Sequence, residues 1–143
     1  MKFSKYWLPV VIVAMAIWFA SSLTGREVGD AVWWTRYLPD FLRVRADKLG
    51  HAMMFGALGA LGLRALFFGH GWPLIRSGWG TLAGCALYGA VDEIHQLWAP
   101  GRSCDPMDWL ADVIGSGLFI VAWGWFFARK RSGQQGEKCD SKK

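Results

Sequence analysis

The sequence predicts an all-α protein, an integral membrane bundle of four transmembrane helices joined by short loops. Three observations carry this. The chain has 143 residues, about one domain, yet 53% are hydrophobic, only 19% are charged and 10 are Trp. The apolar residues are gathered into four long runs rather than scattered. No run shows the alternation of a membrane β-barrel, so each must satisfy its own backbone hydrogen bonds as a helix. This composition excludes a soluble catalytic domain. Residues 1–131 read as one four-helix transmembrane domain. Residues 132–143, rich in Gly, Gln and Lys, read as a basic, disordered cytoplasmic tail.

The first run, 7–23, follows Lys2 and Lys5. That layout is shared with secretory signal peptides, and Ala20, Ser21 and Ser22 imitate a cleavage site. The run is bulky, carries Trp18 near its far end and is long enough to span about 30 Å of hydrocarbon, which favours an uncleaved helix. The stretch 24–48 mixes Val32, Trp33, Trp34, Phe41 and Leu42 with charges and is expected to lie along the membrane surface. The second run, 49–68, is interrupted only by His51 near its start and Arg64 near its end, where a long side chain reaches the interface. The third, 79–97, is apolar through Val91 and then turns polar at Asp92, Glu93, His95 and Gln96. The fourth, 109–128, starts beside Asp108, contains Asp112 and ends at Arg129, Lys130 and Arg131.

Trp72 and Trp79 on one side, and Trp98 and Trp109 on the other, stand where interfacial anchors belong. Small residues recur every four positions at Ala52, Gly56 and Ala60, at Gly80 and Gly84, and at Ala111 and Gly115. These stripes are expected to be close-packing faces.

The net charge of +5 is read through topology rather than as a sign of nucleic-acid binding. With both termini inside, Lys2, Lys5, Arg64, Arg76, the run 129–131 and the C-terminal lysines are cytoplasmic. Arg26, Arg36, Arg43, Arg45, Lys48 and Arg102 are external, so the basic bias is inward. The expected topology is a multi-pass membrane protein with both termini cytoplasmic. The 3 cysteines, Cys85, Cys104 and Cys139, lie in different segments without a CxxC pair, so neither a disulfide framework nor a zinc site is indicated.

Helix polarity brings the ionisable residues together. Asp47, Lys48 and His51 open the second helix, and Asp92, Glu93 and Gln96 close the third. Arg102, Ser103, Asp105 and Asp108 occupy the next loop, and Asp112 lies in the first turns of the fourth helix. In an up-and-down bundle all of these share one membrane face. The spacings Asp47/His51, Asp92/Gln96 and Asp108/Asp112 are each i,i+4, so each pair shares one side of its helix. Ionisable groups near hydrocarbon cost several kcal/mol unless paired or hydrated, which marks the cluster as functional. The alternative is a structural network at the helix ends, such as one in which Arg102 ties Asp92 or Asp108. His95, Asp105 and Cys104 are weaker members, since a loop or a water-facing helix side explains them. The acids far outnumber Lys48 and Arg102, so the site needs protonated carboxylates or a hard divalent cation, Mg²⁺ or Ca²⁺, which could bridge to a lipid phosphate.

At these residues the sequence resembles the VanZ-like family of small bacterial membrane proteins. The resemblance rests on Asp47-Lys48-Leu49-Gly50-His51 with Phe55 and Leu58, then Asp92-Glu93-Ile94-His95-Gln96, then Pro100-Gly101-Arg102-Ser103, then Asp108, Asp112 and Gly115. It extends from about 47 to 117, and the family position matching Asp112 is often Asn. It implies a bacterial cell-envelope protein without an assigned reaction. The family's namesake is an accessory determinant of resistance to the glycopeptide teicoplanin.

Three functions follow as expectations, one of them a structural subunit in which the cluster merely locks the helices together. The first is recognition of membrane lipids or a lipid-linked cell-wall intermediate at the outer-face cluster. The second is a metal-assisted membrane enzyme acting on a lipid phosphate, with His51 or Glu93 as general base and Arg102 stabilising phosphate charge. The sequence has no Gly-rich phosphate loop, no HExxH and no evident nucleophile arrangement.

Overall fold

The computed structural model describes the backbone of residues 2–23, 37 and 39–140 and, within these, the side chains of 4–23, 37, 39, 48–127 and 129. The described residues form four α-helices and no strand. These are α1 (Lys2–Ser22), α2 (Asp40–Arg64, continued by a π-helical turn Ala65–Gly69), α3 (Leu74–Gln96) and α4 (Pro106–Asp140). Three stretches are long and apolar enough to cross a membrane: Ser4–Ser22, Lys48–Gly69 and Pro106–Phe127. α3 is not among them.

Boundaries differ from the sequence reading in instructive ways. α2 starts at Asp40, directly after Pro39, so residues 40–48 of the expected surface stretch are the first turns of a long helix. Residues 24–36, which carry the rest of that stretch, lie outside the described residues. α3 begins at Leu74, just after Pro73, whose fixed φ suits a helix start. The basic segment 132–143 falls on residues whose side chains, or whose whole placement at 141–143, lie outside those described.

The helices are inside-out relative to a soluble bundle. α3 buries Ser77, Thr81, Cys85, Gly89, Asp92, Glu93 and Gln96, a small and polar stripe at mostly i,i+4 spacing, and exposes Ile75, Trp79, Leu87, Val91 and Ile94. α4 buries Asp108, Asp112 and Ser116 and exposes Leu118, Val121 and Trp125. Lipid is as apolar as leucine, so a helix in it gains nothing by burying Leu and much by pairing polar and small groups. The apolar core is correspondingly small: Ile17 of α1, Phe55 and Leu58 of α2 and Cys85 of α3, flanked by Val10, Val13, Ala14, Met54 and Tyr88.

Close packing runs chiefly between α2 and α4. Gly115 sits against the Ala52 backbone, with its missing Cβ only 2.6 Å from Ala52 Cα. Gly59 faces the Ser116 backbone at 3.0 Å and Gly56 the Phe119 ring at 2.6 Å. The stripes predicted on α2 and α4 therefore meet where Gly115 packs on Ala52, whereas Gly56 receives the Phe119 ring. The stripe predicted on α3 does not: nothing lies within 4 Å of the Cβ position of Gly84, and that of Gly80 meets only Leu66 and Trp72. α3 is rotated so that the neighbouring stripe through Thr81, Cys85 and Gly89 faces inward.

At the end of the bundle where α1 starts and α2 finishes, basic and aromatic groups are paired. The Arg64 guanidinium lies 5.1 Å from the Tyr6 ring centre and that of Arg76 lies 4.4 Å from Trp72. The Trp7 indole N–H donates to His70 Nε2 at 3.0 Å. The acids are at the other end.

Candidate functional site

The connection 97–105 between α3 and α4 is built by two local devices. In Ala99-Pro100-Gly101-Arg102 the Arg102 N–H donates to the Ala99 carbonyl at 3.1 Å and Gly101 has φ +78°. This is a type II turn, with Pro at its second position and Gly at the third, which requires positive φ. Asp105 then caps α4: its Oδ1 accepts the Met107 N–H at 2.9 Å, with Pro106 at the first helical position. The turn and the cap hold Arg102 and Asp105 at the polar end of the bundle.

Lys48, from α2, reaches across to this cap. Its ammonium donates to Asp105 Oδ2 at 2.8 Å and to Asp108 Oδ1 at 2.6 Å. The Lys48 hydrogen bond, followed by that from the Met107 N–H, holds the Asp105 carboxyl below the usual aspartate range. The Asp105 N–H meanwhile donates to Glu93 Oε2 at 2.8 Å, fixing the Glu93 carboxylate from the loop side.

Deeper in the bundle, His51 of α2 pairs with Asp112 of α4, Nδ1 to Oδ1, at 3.1 Å. Asp112 is 0% exposed and Glu93 3%. His51, Glu93 and Asp112 each offer a potential ligand atom, and these atoms lie within 4.8 Å of one another. Glu93 Oε1 and Asp112 Oδ2 are buried without a hydrogen-bond partner, as are Asp92 Oδ1 and Arg102 Nε. Gly89 makes room for this group, because a Cβ there would stand 3.2 Å from Asp112 Oδ2.

Asp92 points into a separate pocket of partners. Its Oδ2 accepts from Ser21 Oγ at 2.7 Å and from Gln96 Nε2 at 3.2 Å, the latter being the predicted i,i+4 pair. The helix ends are tied by bonds of the structural kind, but through other groups than Arg102: Asp92 uses Ser21 and Gln96, and Asp108 uses Lys48. Arg102 is half-buried and Ser103 is exposed, both on the connection at the same end. Asp47 lies on the helical backbone of α2, three residues before Gly50, and its side chain is outside those described.

Sequence reasoning passed over two contributors. Ser21, met as a look-alike cleavage residue, is 4% exposed and hydrogen-bonds Asp92, while its neighbour Ser22 lies 2.9 Å from His95 Nε2 and Trp18 stacks on the His95 ring at 3.7 Å. A serine late in an apolar run, at the end where acids gather, was the available signal. Asp105, a weaker member of the cluster by sequence, is central to it in the structure. The Asp-Pro pair before an apolar run marks a helix cap and could have placed it.

The arrangement combines a buried imidazole–carboxylate pair, a second buried carboxylate with a free oxygen, and a guanidinium at the mouth. Such a group can hold protons, a cation or a polar headgroup. In comparisons with known proteins, the family model described as VanZ/LLP1 matches residues 6–127, which takes in α1 as well as the polar end of α2, α3 and α4. No curated protein and no solved structure matches the chain. With the residues of the resemblance at one end of α2, α3 and α4 and on the connection between the last two, and with a match across most of its length, the chain belongs to the VanZ/LLP1 family.

Proposed function

We propose that the protein is a multi-pass protein of the bacterial cytoplasmic membrane that binds a lipid or lipid-linked cell-wall intermediate at the polar end of its bundle. α3 spans along with the other three helices. Its 23 residues reach about 35 Å, against roughly 30 Å of hydrocarbon. Its mean hydropathy is lowered by the inward-turned Ser77, Thr81, Asp92, Glu93 and Gln96, together with Arg76, which is exposed in its first turn. Both termini are cytoplasmic, with the paired basic and aromatic end inside and the acidic end outside.

The observation that carries the ligand reading is Arg102. Its Nε is buried without a partner, on a turn at the mouth of the cluster, and a guanidinium is the side chain best suited to a phosphate or carboxylate headgroup. Membrane lipids are the immediate partners, and resistance to a glycopeptide such as teicoplanin is one cellular consequence that binding a cell-wall intermediate would have. The test is to purify Asp47→Asn, Glu93→Gln and Arg102→Ala and measure folding and binding to a polyprenyl-phosphate lipid in nanodiscs. Arg102→Ala is expected to fold and to bind at least tenfold more weakly. Unchanged binding by Arg102→Ala, or unfolding of all three variants, rejects this reading.

A second reading, an enzyme acting on a lipid phosphate, is favoured by the His51–Asp112 pair, since a carboxylate-oriented imidazole is the usual form of a general base. Turnover of the same lipid lost in His51→Gln, with binding retained, would select it.

A further inference from the structure

We propose that His51, Glu93 and Asp112 form a binding site for one divalent transition metal ion of the Zn²⁺ or Mn²⁺ type, with coordination positions left open towards the mouth of the bundle. The inference goes beyond the lipid reading and does not depend on it.

Geometry is the first support. The three ligand atoms lie within 4.8 Å of one another and come from three different helices. His51 Nδ1 and Asp112 Oδ1 are 3.1 Å apart, which matches adjacent ligands on an ion with metal–ligand distances of about 2.0–2.2 Å. The second support is independent. Glu93 Oε1 and Asp112 Oδ2 belong to side chains 3% and 0% exposed, yet neither has a hydrogen-bond partner. Two such oxygens beside an imidazole are costly as they stand and are satisfied together by a single cation.

Charge agrees. Among the described residues Lys48 is committed to Asp105 and Asp108, and His51 is the basic group hydrogen-bonded to the Glu93–Asp112 pair of carboxylates, through Asp112. A divalent ion balances both. The outer layer has the usual form too: Glu93 Oε2 is oriented by the Asp105 backbone N–H, as metal-ligating carboxylates commonly are. The imidazole decides the class of metal. Mg²⁺ and Ca²⁺ prefer all-oxygen shells, whereas one His with two carboxylates suits Zn²⁺, Mn²⁺ or Fe²⁺.

The test is calorimetric titration of the full chain, chelator-stripped, in detergent and without a polyhistidine tag, using Zn²⁺ or Mn²⁺ alone and then Mg²⁺ and Ca²⁺. The expected result is one Zn²⁺ or Mn²⁺ per chain, held at least tenfold more tightly than Mg²⁺ or Ca²⁺. Glu93→Gln and Asp112→Asn should each weaken it at least tenfold, whereas Cys104→Ser, which keeps a hydrogen-bonding group beside Glu93, should retain saturable binding. Absence of saturable binding by the unaltered chain, loss of it in Cys104→Ser, or full affinity in folded Glu93→Gln and Asp112→Asn overturns the site. Should those two variants fail to fold, the Co²⁺ absorption spectrum of the unaltered chain decides: nitrogen and oxygen coordination supports the site, while thiolate bands or no bound Co²⁺ reject it. Because the probe is the metal alone, the outcome is separate from that of the lipid measurement.

Discussion

Asp105 uses its backbone N–H on Glu93, one carboxylate oxygen on the Met107 N–H and the other on Lys48. One residue thus ends a loop, starts a helix and orients a buried acid. Its lowered pKa turns this into a pH dependence with a definite sign. A carboxylate whose folded value lies below its unfolded one contributes stability at and above the ordinary aspartate range, and loses it as the pH falls through the lowered folded value. The difference in thermal stability between the unaltered chain and Asp105→Asn should therefore be present at neutral pH and shrink steadily on acidification below that range. A difference constant across the series would assign Asp105 to capping through its backbone alone.

At the scale of elements, the pairing of α2 with α4 and the rotation of α3 are separable by two glycine substitutions. A methyl at Gly115 would collide with the Ala52 backbone, which belongs to a continuous helix and cannot step aside. Gly115→Ala should cost about 1–3 kcal/mol, as overpacked interfaces do. Gly84 is also a mid-helix glycine in a small-residue stripe, but its outward side is open. Gly84→Ala should be neutral or stabilising by up to about 1 kcal/mol, the usual helix-propensity gain. Denaturation of the two variants in one detergent checks both, and equal destabilisation would mean that α3 packs on the face the sequence stripe suggested. The same rotation carries Glu93 towards His51 and Asp112 and turns Asp92 to Ser21 of α1, so small-residue packing in mid-membrane sets which acids meet at the end.

Across the whole molecule the two ends differ in kind. One pairs arginines with aromatic rings, at Arg64 with Tyr6 and Arg76 with Trp72. The other gathers Lys48, His51 and the acids around a capped helix start. With the first end cytoplasmic, Cys104, exposed on the α3–α4 connection, faces outward. In a Cys139→Ser background, a membrane-impermeant maleimide should label Cys104 on intact spheroplasts. In a Cys104→Ser background, Cys139 should react only after permeabilisation. The reverse pattern would invert the protein in the membrane and put the candidate site in the cytoplasm.

The residues by themselves determined that the chain is helical, that its apolar runs are membrane-like, and that the ionisable groups of α2, α3 and α4 share one end. Each of these follows from local composition or from the alternating direction of successive helices, which needs no knowledge of contacts. The turn at Gly101 and the cap at Asp105 have local signals of the same kind, Pro-Gly and Asp-Pro, although neither was drawn from the sequence alone. Only the tertiary structure decided how far each helix is turned about its axis. Adjacent residues on a helix differ by about 100° in direction, so whether Asp92 or Glu93 joins His51 and Asp112 depends on packing between distant segments. That α1 completes the site through Ser21 was likewise beyond a local reading, since the contact joins residues 71 positions apart in sequence.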